Sequence, residues 1–145
     1  MMATTIGLWA PEWVSMEGEH RVQISFIDIS RAYFHALVDK KRPLFVHLPE
    51  EDEDFGKELC GQLNVHMYGT RPAAEGWYSE YSGSMEEFGF KTGTSSGCVF
   101  FHPELYLVSA VHGDDFTTCG PRSSLDKMGE FLRGKYELKE AARLG

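Results

Sequence analysis

A chain of 145 residues, 42% hydrophobic and 13% aromatic, is long and apolar enough to bury one proper core and falls in the ordinary globular class. Its formal charge of -8 argues against tight unaided binding to a phosphate backbone, because that affinity comes mainly from lysine and arginine displacing counterions. Three cysteines, Cys60, Cys98 and Cys119, are odd in number and outside paired spacings, which argues against a disulfide framework and for a reducing, intracellular setting; no apolar run approaches the ~18 residues of a membrane span.

Residues 1–20, MMATTIGLWAPEWVSMEGEH, carry Pro11 and two glycines without a sustained period and read as a poorly specified leader. The domain proper is expected over residues 21–145. RVQISFIDI is β-branched and aromatic and predicts a strand over 22–29. Val22, Ile24, Phe26 and Asp28 share one parity, while Ile27 and Ile29 lie on the other, so alternation alone leaves open which face is the core. PLFVHLPE predicts a short strand at 44–48, and LCGQLNV a weaker one near 59–65. Between them the acidic block from Glu50 to Asp54 reads as a solvated loop.

The segment from Pro72 is the best helix in the chain, with Trp77, Tyr81, Met85 and Phe88 at helical spacing and Gly89 as its stop. Strands are expected at Gly97–His102 and Leu105–Val111, followed by a tight turn at HGDD and a return strand through Cys119. Gly113 suits the first central position of a type II′ turn, which requires positive φ. A second helix, PRSSLDKMGEFLRGK, places Leu125, Met128 and Leu132 on one stripe before a charged terminal strand in YELKEAARLG. Strand, helix, strand pair, helix, strand is the order of the ferredoxin-like split βαβ fold, an α+β sandwich with two helices on one face of an antiparallel sheet.

In that fold the strand ending in Asp28 and the hairpin carrying Asp114 and Asp115 become central neighbours. Three carboxylates would then meet at one sheet edge, and hard oxygen ligands of this kind suit Mg²⁺. Adjacent strand residues point to opposite faces, so one aspartate of the pair is expected as a primary ligand and the other as a secondary one. A GDD sequence is also an ordinary polar turn, since turns select glycine and aspartate for their own reasons.

Several blocks in order carry a more specific signal: FIDISRAYFHA, LNVHMYGTRPAAEGWYSEYSGSMEEFGF, CVFF, LVSAVHGDDFTTCG and KYELKEAARLG. Together they resemble the polymerase palm of copia-type retrotransposon reverse transcriptases, over about residues 22–145. The resemblance implies RNA-directed DNA polymerase activity, with Asp28, Asp114 and Asp115 as catalytic residues and ligands of two Mg²⁺ ions. It implies that Tyr33 is the steric gate excluding a 2′-hydroxyl, which favours deoxynucleotides, and that the amides of Arg31 and Ala32 meet the triphosphate. Tyr68 and Gly69 match the loop on the nucleotide side, and Lys139 a lysine placed to protonate pyrophosphate; Arg71 is left between meeting phosphate and capping the helix. Tyr33 as simple core packing beside Phe34, and Lys139 as a solvated strand residue, are the plainer alternatives.

Two departures stand out. His112 and Gly113 replace the aromatic and bulky residues usual before the aspartate pair, and residues 1–20 do not supply basic fingers. The expected molecule is therefore a fragment of a Pol polyprotein, without most of fingers, thumb and ribonuclease H, inactive alone, whose partners in a complete enzyme are RNA or DNA template-primer and deoxynucleotide. No membrane partner is expected. A degenerate or domesticated, non-catalytic binding protein that keeps the palm fold is the alternative. A zinc site from Cys60 with His66 and Cys98 with His102 is weaker, because neither pair has the spacing of a zinc knuckle.

Overall fold

The computed structural model describes residues 21–145, so the leader expected over 1–20 lies outside the described residues. The elements are β1 (Val22–Ile29), a 3₁₀ turn (Ala32–His35), β2 (Leu44–His47), β3 (Cys60–Leu63), α1 (Ala73–Phe88), β4 (Lys91–Thr92), β5 (Val99–His102), β6 (Leu107–His112), β7 (Asp115–Pro121), α2 (Arg122–Lys135) and β8 (Leu138–Leu144). They divide into two compact units, residues 21–32 with 81–145 and residues 33–80, with the division falling inside α1.

The larger unit holds a sheet in the order β4-β5-β6-β7-β1-β8, with every neighbouring pair antiparallel. Four of its strands, in the order β6-β7-β1-β8, and the two helices have the order and connection of the split βαβ fold, with β1 between β7 and β8. Cross-strand register settles which face is covered. Ile27 lies opposite Phe116, and Phe116 opposite Val111, all three buried. One step along, Ser25, Thr118, Ser109 and Phe100 form a second buried row. Two hydroxyls inside that row satisfy one another, Ser109 Oγ lying 2.8 Å from Thr118 Oγ1. Mutual bonding matters because a buried hydroxyl without a partner costs roughly 1–3 kcal/mol.

Both helices lie on this face. Tyr81, in the second half of α1, meets Phe100 and Phe116 edge-on at 6.0 and 5.8 Å. α2 lies against β7 and β1 through the buried stripe Leu125, Met128 and Leu132, spaced so that one side of the helix is apolar. Burial of each such side chain contributes about 1.5–3 kcal/mol. Phe88 and Phe131 join the two helices at 4.8 Å, and Ser84 Oγ lies 2.6 Å from the Tyr136 hydroxyl. The end of α1 is held by His102, which lies 3.1 Å from the Phe88 carbonyl through Nε2 and accepts the Leu105 N–H at Nδ1. Gly89 follows with φ 111°, the left-handed stop expected from its position.

The unit of residues 33–80 contains the two-stranded sheet β2-β3, a bridge between Leu37 and Val65, and the first half of α1. The expected strands at 44–48 and 59–65 are shorter at their ends, Leu44–His47 and Cys60–Leu63. Pro49 lacks an N–H and turns the chain out of β2 into the acidic loop. His66 is buried and its N–H donates to Ala36 O at 2.8 Å. Gly76 lies against the His66 ring so closely that an added Cβ would stand 2.3 Å from Cδ2 and Nε2.

Candidate polymerase site

Asp28 ends the exposed parity of β1, on the sheet face opposite Ile27 and Ile29. The register pairs it with Asp115 of β7, and Asp115 in turn with His112 of β6. Directly opposed residues of antiparallel strands share a face. His112, Asp115 and Asp28 therefore form one row across three strands, at the end of the sheet where β6 turns into β7. The turn itself is Gly113–Asp114, a two-residue loop between the paired residues His112 and Asp115. Gly113 has φ 62° while Asp114 stays out of the left-handed region, the combination that a type II′ turn requires. Asp114 is tied to β1 by its carbonyl, which accepts the Ile29 N–H at 3.0 Å.

Of the Asp114–Asp115 pair, the register gives Asp115 as the residue that faces Asp28. Among the described residues no group of three or more His, Cys, Asp or Glu side chains is gathered closely enough to hold a metal ion. The donor chemistry nonetheless fits Mg²⁺, which takes one or two carboxylates and completes its shell with water and substrate phosphate. Asp28 already attracts a cation: Lys139 Nζ lies 3.4 Å from its Oδ2. That contact depends on an irregularity in β8. Asp28 pairs with Glu140 but Ile29 with Leu138, so Lys139 is the extra residue of a bulge. Bulges re-aim side chains and occur often beside active sites. No feature of the linear sequence reveals the bulge; the Lys139 side chain reaches Asp28 while staying largely exposed.

The chain leaves β1 through a sharp bend. Arg31 has φ 51°, a conformation that costs a non-glycine residue roughly 1–2 kcal/mol, and its guanidinium pairs with Glu137. The Ser30 N–H donates to Glu137 O at 2.7 Å, so the segment before β8 holds the bend from both backbone and side chain. Ala32 follows, fully buried, at the start of the 3₁₀ turn.

Within the unit of residues 33–80, Tyr33 and Tyr68 meet edge to face with ring centroids 4.5 Å apart, and Phe34 contacts the same Tyr68 ring at 5.9 Å. Tyr33 is partly buried and Phe34 and Tyr68 are exposed. The structure thus joins two residues that were singled out separately in the sequence. Gly69 follows Tyr68 with φ 84°, where a side chain would be strained. Arg71 lines an open groove of about 730 Å³ together with Arg42, His66, Glu75 and Glu80.

An antiparallel split βαβ sheet bearing aspartates at the end of its central strand and on the adjoining hairpin defines a polymerase-palm class of protein. A family model described as reverse transcriptase (RNA-dependent DNA polymerase) matches residues 13–145. The chain belongs to the reverse transcriptase family. A comparison with curated proteins gives no match. Among the described residues no helix is long and apolar enough to cross a membrane.

Proposed function

We propose that this chain is the palm portion of a copia-type retrotransposon reverse transcriptase, which joins a deoxynucleotide to a primer 3′-hydroxyl by two-metal nucleotidyl transfer. The observation that carries the reading is the facing of Asp28 and Asp115 across β1 and β7, with Asp114 in the turn beside them. These three carboxylates would hold Mg²⁺, with water and substrate phosphate completing its shell. Mg²⁺ bound there supplies activation of the attacking hydroxyl and charge neutralisation at the leaving pyrophosphate. Tyr33 is the gate against a 2′-hydroxyl, and the Tyr68 ring supports its orientation. Arg31, Ala32, Tyr68 and Gly69 contribute to nucleotide binding. Template-primer is the macromolecular partner.

The formal charge of -8 works against unaided binding of template-primer, whose affinity comes mainly from lysine and arginine. Alone it is expected to extend no primer, so the test is made on a fusion. Joined to the fingers and thumb of a complete reverse transcriptase, the chain extends a primed template with Mg²⁺ and deoxynucleotides, and Asp114→Asn abolishes extension while the circular dichroism spectrum is unchanged. Extension that persists with Asp114→Asn overturns the assignment. So does a folded fusion that binds primed template and extends nothing.

A non-catalytic binding role is the second reading. It is favoured by the lack, among the described residues, of a gathered three-ligand cluster. A fusion that holds template-primer but is indifferent to Mg²⁺ supports it.

A further inference from the structure

The bulge in β8 does more than shift a register. It sets the Lys139 ammonium 3.4 Å from Asp28 Oδ2, and Asp28 is the more sheltered partner, its side chain 24% exposed against 70% for Lys139. The row that contains Asp28 needs such a charge. Asp28 and Asp115 face one another directly, and like charges in that position are destabilising. Asp114 adds a third carboxyl at the neighbouring turn.

We propose that Lys139 is a stand-in for the divalent ion: its ammonium neutralises Asp28 while the ion is absent, and competes with the ion for the same carboxylate. The proposal rests on the reading of Asp28 as an ion ligand, and it assigns Lys139 a role in the ion-free chain that is separate from proton transfer. An ammonium is a compact charge on a flexible four-carbon stem, so it can withdraw without moving β8. A largely exposed pair is weak, so a doubly charged ion with several oxygen ligands displaces it. Arginine at this position retains the charge and the reach, whereas methionine retains the stem and removes the charge.

Mn²⁺ serves as the probe, with free ion counted by electron paramagnetic resonance on the whole chain. Lys139→Met is expected to tighten Mn²⁺ binding about two- to fivefold, the range set by the strength of an exposed ion pair. Lys139→Arg is expected to bind as the unaltered chain does. Lys135→Met removes an equal charge from the same unit, where Lys135 pairs with Glu87, and is expected to leave Mn²⁺ affinity unchanged. In the Asp28→Asn background, Lys139→Met brings no tightening. A second readout is thermal: Lys139→Met melts below the unaltered chain in chelator, and the gap closes at saturating Mg²⁺.

Unchanged or weaker Mn²⁺ binding by Lys139→Met overturns the proposal, as does equal tightening by Lys135→Met. If Mn²⁺ binds neither the unaltered chain nor Lys139→Met, the ion-ligand reading of Asp28 fails with it. If Mn²⁺ binds through Asp28 but ignores Lys139, only the stand-in role fails.

Discussion

Asp28 and Cys119 show how one face of a sheet treats different side chains. Both lie on the parity of β1 and β7 that faces away from the helices, yet Cys119 is buried and Asp28 is not fully so. Burial raises the Cys119 thiol above the ordinary thiol range, because a thiolate there would lose its hydration. Cys60 and Cys98 are exposed. In the folded chain a thiol-disulfide reagent should therefore titrate Cys60 and Cys98 quickly and Cys119 only after denaturant is added; immediate reaction of Cys119 would refute its burial. The sign of the linkage follows. The folded state keeps its proton at a pH where the unfolded state has released it, so this cysteine makes no difference below the ordinary thiol range and lowers stability as pH rises through it. Cys119→Ala should flatten that alkaline slope in a urea titration.

Helix α1 holds two interior glycines with opposite surroundings. Glycine in a helix is ordinarily worse than alanine by roughly 1 kcal/mol. At Gly83 an added Cβ meets nothing within 4 Å, so Gly83→Ala should raise stability by about 0.5–1 kcal/mol. At Gly76 the same methyl would stand 2.3 Å from the buried His66 ring. Overpacking of this kind costs roughly 1–3 kcal/mol, which outweighs the propensity gain. Gly76→Ala should accordingly lower the urea midpoint while Gly83→Ala raises it, and equal shifts of the same sign would contradict the His66 packing. Periodicity reads the helix itself from Trp77, Tyr81, Met85 and Phe88. It does not tell one glycine from the other, because the His66 ring comes from a loop whose path depends on its backbone bond to Ala36.

At the scale of the whole molecule, β1 is hydrogen-bonded on both sides, to β7 and β8, while the two-residue β4 forms one edge of the sheet. Amide exchange follows the least costly opening that frees each N–H. Amides of β1 and β7 should be the slowest to exchange, with β4 and the loop between β2 and β3 fast; a β1 as fast as β4 would contradict the strand order. Much of this architecture is legible in the chain. The order of apolar periods, the glycine at the hairpin and the proline before α1 are local signals, and they determine the split βαβ fold and the positions of Asp28, Asp114 and Asp115 within it. Tertiary structure alone decided which parity of β1 is core, that Asp115 faces Asp28, and that a bulge turns Lys139 toward that aspartate. The reason is physical: secondary structure follows from interactions between residues a few positions apart, whereas register and face are chosen by strands far apart in sequence, through pairing that no single segment encodes.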